Sequence, residues 1–139
     1  MPRDPEEPAW LVAQIVRAIH DDLLAQHGGL SGLRDKGLFE SALARPRHRW
    51  AYGDTDDLFD CAASYGFGLA KNHAFNDGNK RTAFQAMYTF LGVNGCDLRA
   101  SEAEAVEIMV GIADGTVSEK RLAAWLRDNT AKPRRRRTR

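Results

Sequence analysis

Residues 72-NHAFNDGNKRTAF-84 bring a histidine, an aspartate, three asparagines, a lysine and an arginine together around one glycine, between two apolar segments. Gly78 and Asn79 fall where a helix begins, and the first turn of a helix offers backbone N–H groups without intrahelical partners and a favourable dipole for anions. Gly78 removes a side chain that would obstruct a phosphate, and Lys80 and Arg81 add two positive charges to the same turn. These four residues predict a polyphosphate cradle. Anion binding alone does not call for Asp77, because a carboxylate repels the ligand unless a cation lies between them. One carboxylate plus phosphate oxygens is the usual way of holding Mg²⁺, so Asp77 is the candidate metal ligand. Its alternative role is the N-cap of the following helix, and the two roles can coexist. His73 lies four positions before Asp77, and a neutral imidazole can accept a proton from a hydroxyl nucleophile. Asn79 can donate to a phosphate or cap the turn. Phe75 reads as a hydrophobic plug, and His20, His27 and His48 as surface or hydrogen-bonded residues with no chemical role.

The segments that must position this cluster are helical nearly throughout. From Pro8 to about His27, Trp10, Leu11, Ile15, Ala18, Ile19 and Leu23 recur at three- and four-residue steps, and Gly28-Gly29 stop the run. Asp35 can cap a short helix carrying Leu38, Phe39, Ala42 and Leu43, which Pro46 is expected to end. Residues 47–57 lack a helical stripe and suit a loop or a small hairpin flap. A long helix is predicted from about Asp56 to Asn72. Its Ala62, Ala63, Gly66, Gly68 and Ala70 allow close helix approach. Another runs from about Asn79 to Val93, with Asn94-Gly95 as a left-handed stop. Ser101 and Glu104 form a capping box ahead of Ala105, Val106, Ile108 and Met109, and a last helix spans roughly Ser118 to Arg127. No segment is long enough for a sheet strand, so the expected fold is all-α.

The 139 residues suffice for one domain with a single core, expected over residues 1–131. Residues 132–139, KPRRRRTR, form a basic tail of one Lys and five Arg, expected to be disordered. Taking those six from the 20 basic residues leaves 14 against 19 acidic, so a body of about −5 carries a basic string. Cys61 and Cys96 have no metal-like or CxxC spacing and read as half-buried thiols of a reducing compartment. The opening MPRDPEEPAW has no signal pattern, and no apolar run approaches a membrane span, so the expected location is cytoplasmic.

The order His73-Ala74-Phe75-Asn76-Asp77-Gly78-Asn79-Lys80-Arg81 resembles the signature of the Fic/Doc superfamily. That signature is His-x-Phe-x-Asp/Glu-Gly-Asn-Gly-Arg in Fic proteins and ends Asn-Lys-Arg in Doc (death-on-curing) toxins. Residues 29–46, GLSGLRDKGLFESALARP, are similar to the Doc-type N-terminal region. The resemblance covers Met1 to about Arg127. It implies a compact helical bundle, with His73 as the residue that activates a target hydroxyl. Asp77 would be the Mg²⁺ ligand, and Gly78, Asn79, Lys80 and Arg81 would bind the ATP phosphates. Residues 47–54 sit where the family places a target-docking flap.

Lys80 stands where Fic proteins carry glycine, and Phe84 where many carry a second arginine. Gly78, by contrast, follows the Fic pattern where Doc has alanine. Lys80 fills the space of a further phosphate and implies the reversed nucleotide of Doc, with its γ-phosphate facing the target. The resemblance therefore implies the toxin of a type II toxin–antitoxin pair, a protein kinase acting on a Ser or Thr of the translation apparatus, with elongation factor Tu the implied substrate. No Ser or Thr has Glu four residues later, so the inhibitory-helix motif of some Fic proteins is absent from the sequence. The implied inhibitor is a separate antitoxin, folding as a helix into a groove. Two rival readings remain open: a Fic-type adenylyltransferase, and a non-catalytic nucleic-acid- or protein-binding regulator acting through the arginine-rich tail.

Overall fold

The computed structural model describes residues 6–131. The basic tail lies outside them, as do the expectations attached to it. Among the described residues there are six helices: α1 (Ala13–His27), α2 (Lys36–Ala51), α3 (Leu58–Asn72), α4 (Asn79–Val93), α5 (Glu102–Asp114) and α6 (Glu119–Asp128). Two two-residue strands, β1 (Asp97–Leu98) and β2 (Thr130–Ala131), pair antiparallel with Leu98 opposite Thr130. The fold is all-α. Among the described residues no helix is long and apolar enough to cross a membrane.

Helix α3 is the hub, with α2, α4 and α6 packed around it. Every residue from Cys61 to Ala70 except Phe67 is buried. Small side chains permit this. Gly68 lies against Ala42 of α2, and Gly66 against Met87 of α4. A Cβ at Gly66 would collide with the Met87 thioether, which is fully buried. Gly66→Ala should therefore destabilise the fold, since overpacking costs about 1–3 kcal/mol against a helix-propensity gain of at most about 1 kcal/mol. Gly92→Ala, on the open face of α4 with nothing within 4 Å, should instead stabilise by about 0.5–1 kcal/mol. Urea denaturation of the pair reads the opposite signs, and equal signs would contradict this packing.

Several sequence expectations are corrected. Residues 8–12 lie outside the helix, which begins at Ala13, because they are pinned from three sides. Asn94 exchanges two hydrogen bonds with the Ala9 backbone, the Tyr65 hydroxyl accepts from Leu11 N at 3.0 Å, and Trp10 stacks on Phe90. Burial pushes the Tyr65 phenol up to about 12, so it stays a neutral hydrogen-bonding group. Helix α1 consequently buries Val16 and His20, while Ile15 is 46% exposed.

Pro46 does not end α2, which runs on to Ala51. Proline in a helix interior forfeits a hydrogen bond and costs about 3 kcal/mol, but here the ring is buried and the next turns are tied down. Arg49 donates to Ser64 Oγ (2.6 Å) and Glu119 (2.8 Å), Arg45 pairs with Glu119, and Trp50 meets Trp10 edge-on. Residues 47–51 are therefore helix, not a flap, and only the turn from Tyr52 to Asp57 remains exposed at that edge. The Asn94-Gly95 stop is present as expected: Asn94 ends α4 with φ −102 and Gly95 takes the left-handed position after it. Both cysteines are free and more buried than expected, and burial lifts the Cys61 thiol to about 12.

Candidate functional site

The loop between α3 and α4 is held by its own residues and by the segment before α2. Phe75 is 2% exposed, stacked on His20 (centroids 3.8 Å) and edge-on to Phe39. It is the plug its sequence position suggests. Asn79 accepts from Phe75 N and donates to Phe75 O, both at 3.0 Å, so its side-chain amide braces the turn with one of its two N–H groups. From the other side, Ala74 O accepts from Arg34 N and Asp35 N. Leu33 bridges Phe75, and Asn76 bonds Gly32 O and Ser31 O. The 30–35 segment thus runs along the loop as a splint.

This splint fixes both reactive groups. His73 closes α3 in the left-handed conformation (φ 49, ψ 49), the sole described non-glycine residue at positive φ. Glycine is the usual occupant of such a helix end, and an L-residue there costs roughly 1–2 kcal/mol. His73 is exposed, and its imidazole makes no hydrogen bond to a described residue. Asp77 Oδ1 accepts from Gly78 N (3.0 Å) and Oδ2 from Leu30 N (3.3 Å). Its carbonyl oxygen, which can only accept, lies 2.8 Å from His20 Nε2, so that nitrogen carries the hydrogen.

Asp77 is not the N-cap of α4. That position belongs to Gly78, in the left-handed region at φ 74 and with no side-chain cap. A Cβ on Gly78 would meet Leu24 and His20 only at ordinary contact distances, so among the protein's own atoms it is the backbone conformation that demands the glycine. The N–H groups of Asn79, Lys80 and Arg81 are left without acceptors among the described residues. The side chains of Lys80 and Arg81 are exposed and make no ion pair there. Two cations, three free amides and one exposed carboxylate share a single helix end.

His73, Asp77, Gly78, Asn79, Lys80 and Arg81 all line one groove of about 790 Å³. The rest of its lining is mixed, with apolar Leu23 from α1, Phe84 from α4 and Val106 and Val110 from α5 beside polar Gln85, Ser101 and Glu102. His27 also lines it, and His48 is exposed on α2 away from it. Sequence reasoning passed over two residues that shape the site. His20 was readable as a polar residue four positions after Val16 on the buried face of α1. Arg34, next to a capping aspartate, carried no signal.

The chain is similar in sequence to known proteins. The sequence model of the Fic/DOC family matches residues 10–91. The protein kinase doc of Escherichia phage P1 is 39% identical over 110 residues, which cover 79% of this chain and 86% of that protein. Toxin Doc of Mycolicibacterium smegmatis is 48% identical over 75 residues, 52% of this chain and 57% of that protein. The matched region contains both the splint and the whole 73–81 signature, and the chain belongs to the Fic/Doc family.

Proposed function

We propose that this chain is a Doc-type toxin that transfers the γ-phosphate of ATP to a Ser or Thr hydroxyl of a translation factor. Elongation factor Tu is the substrate that the sequence resemblance suggests. The observation that carries the reading is the convergence of the uncapped α4 N-terminus, Lys80, Arg81, Asp77 and the unpartnered His73 imidazole on one groove. The name of the phage P1 relative, a protein kinase, supports phosphoryl transfer, and that of the mycobacterial relative supports a toxin.

The donor set fits MgATP. Each Asp77 oxygen accepts one backbone N–H and keeps lone-pair capacity toward the groove. Among the described residues no three metal-binding side chains cluster, so the protein offers a cation one carboxylate, and phosphate oxygens and water must complete its shell. Mg²⁺ bound there supplies charge neutralisation on the phosphate oxygens. In the reaction, His73 takes the hydroxyl proton as the oxygen bonds to the γ-phosphorus and the bond to the ADP leaving group breaks. The free amides of α4, with Lys80 and Arg81, bind the phosphates and stabilise the charge that develops. The apolar lining residues from α1, α4 and α5 suit the hydrophobic face of an antitoxin helix.

Incubation of the protein and a cell-free translation extract with α- or γ-³²P-labelled ATP decides between the transfer reactions. The γ label is expected on protein. Transfer of the α label would mean adenylyl transfer and a misread Lys80. Label on neither, with a salt-sensitive affinity for nucleic acid that vanishes without residues 132–139, would favour a tail-driven regulator.

A further inference from the structure

The C-terminus of α3 presents carbonyl oxygens that helical geometry leaves without partners. His73 closes this helix in a conformation that glycine would adopt more cheaply. At the other five helix ends the C-cap backbone N–H returns to a carbonyl of its own helix. At α3 a side chain from another element fills that place. Arg34 Nε donates to His73 O at 2.7 Å and Nη2 to Asn72 O at 3.0 Å, while Arg34 N donates to Ala74 O at 2.7 Å. One residue therefore grips three successive carbonyls spanning the left-handed position. Its positive charge also lies at the negative end of the α3 dipole.

We propose that Arg34 is a positioning residue for His73, holding the α3 terminus in the left-handed turn from which the imidazole reaches the groove. The proposal rests on the reading of His73 as the base. Arg34 touches none of the signature residues of α4, so its loss should disturb proton acceptance and spare nucleotide binding. The residue works through backbone, which explains why its side-chain chemistry leaves no trace in a catalytic motif.

The test compares full-length wild type with Arg34→Ala and Arg34→Lys. Rates of γ-label transfer into a cell-free translation extract are measured against ATP concentration. The His73 imidazole proton resonance, assigned with His73→Ala, is followed by NMR. The expected maximal rate of Arg34→Ala falls roughly 10- to 100-fold, as for a small misplacement of a reacting group. The half-saturating ATP concentration should stay within about twofold, because a uniform loss of binding would move that quantity instead. The resonance should shift and broaden, and Arg34→Lys, keeping one charged donor, should lie between the other two in both readouts. An unchanged maximal rate in Arg34→Ala, a loss confined to the ATP requirement, or an unchanged His73 resonance would overturn the proposal. If Arg34→Ala does not fold, Arg34→Lys decides alone: a lower rate with a displaced resonance supports it, and wild-type values of both overturn it. A wild type that transfers no label refutes the kinase reading, whereas the resonance still tests the grip of Arg34 on His73.

Discussion

His73→Ala is expected to lower phosphoryl transfer by roughly 100- to 10,000-fold, the usual contribution of a positioned general base, and to abolish growth arrest. Helicity and ATP affinity should survive. The imidazole makes no hydrogen bond to a described residue, and the amides and cations proposed to bind phosphate belong to α4, whose first turn is braced by Asn79 and Phe75 instead. The backbone at this position separates a catalytic loss from a structural one. Alanine inherits the left-handed strain (φ 49), while His73→Gly relieves it, so the glycine variant should be the more stable by roughly 1 kcal/mol. Both should be equally inactive. Label transfer and urea denaturation on the two variants provide the check. A folded His73→Ala protein that still arrests growth would remove histidine from the mechanism.

Asp77→Asn should reduce transfer by roughly three orders of magnitude, because a bound metal supplies several kcal/mol of charge stabilisation and each decade of rate corresponds to about 1.36 kcal/mol. Calorimetry should show a weakened affinity for ATP in the presence of Mg²⁺ and little change in its absence. The substitution is nearly isosteric. Its remaining oxygen can accept from Gly78 N, but an amide nitrogen facing Leu30 N sets donor against donor at an exposed contact. Stability should fall by about 1 kcal/mol, the net worth of one hydrogen bond, far too little to unfold a domain. A variant whose ATP affinity keeps the wild-type dependence on Mg²⁺ would show that the carboxylate does not hold the cation.

Local chemistry made some elements readable in advance. Helix α4 spans Asn79–Val93 as its glycine boundaries suggest, and the Ser101–Glu104 capping box is present with both of its hydrogen bonds. Those bonds also lower the Glu104 carboxyl below its ordinary range. Ser118 caps α6 by accepting from Arg121 N. In each case the signal and its partner lie within four residues, so no distant contact is needed to satisfy it. The helical periodicity of α3 and its run of small residues were readable for the same reason. Their close neighbours on α2 and α4 were implied by the absence of side-chain volume.

The cluster from His73 to Arg81 was determined by sequence alone, in residue types, order and position between two helices, because its chemistry is written in consecutive residues. Tertiary structure decided how each member is used. It assigned the Asn79 amide to bracing the loop, excluded Asp77 from the N-cap, and brought His20 and Arg34 to backbone oxygens 57 and 39 residues away. It also carried α2 through Pro46 and drew residues 8–12 out of helix. Those outcomes depend on hydrogen bonds and burial between segments remote in the chain, whose free energies exceed the local propensities that a one-dimensional pattern expresses.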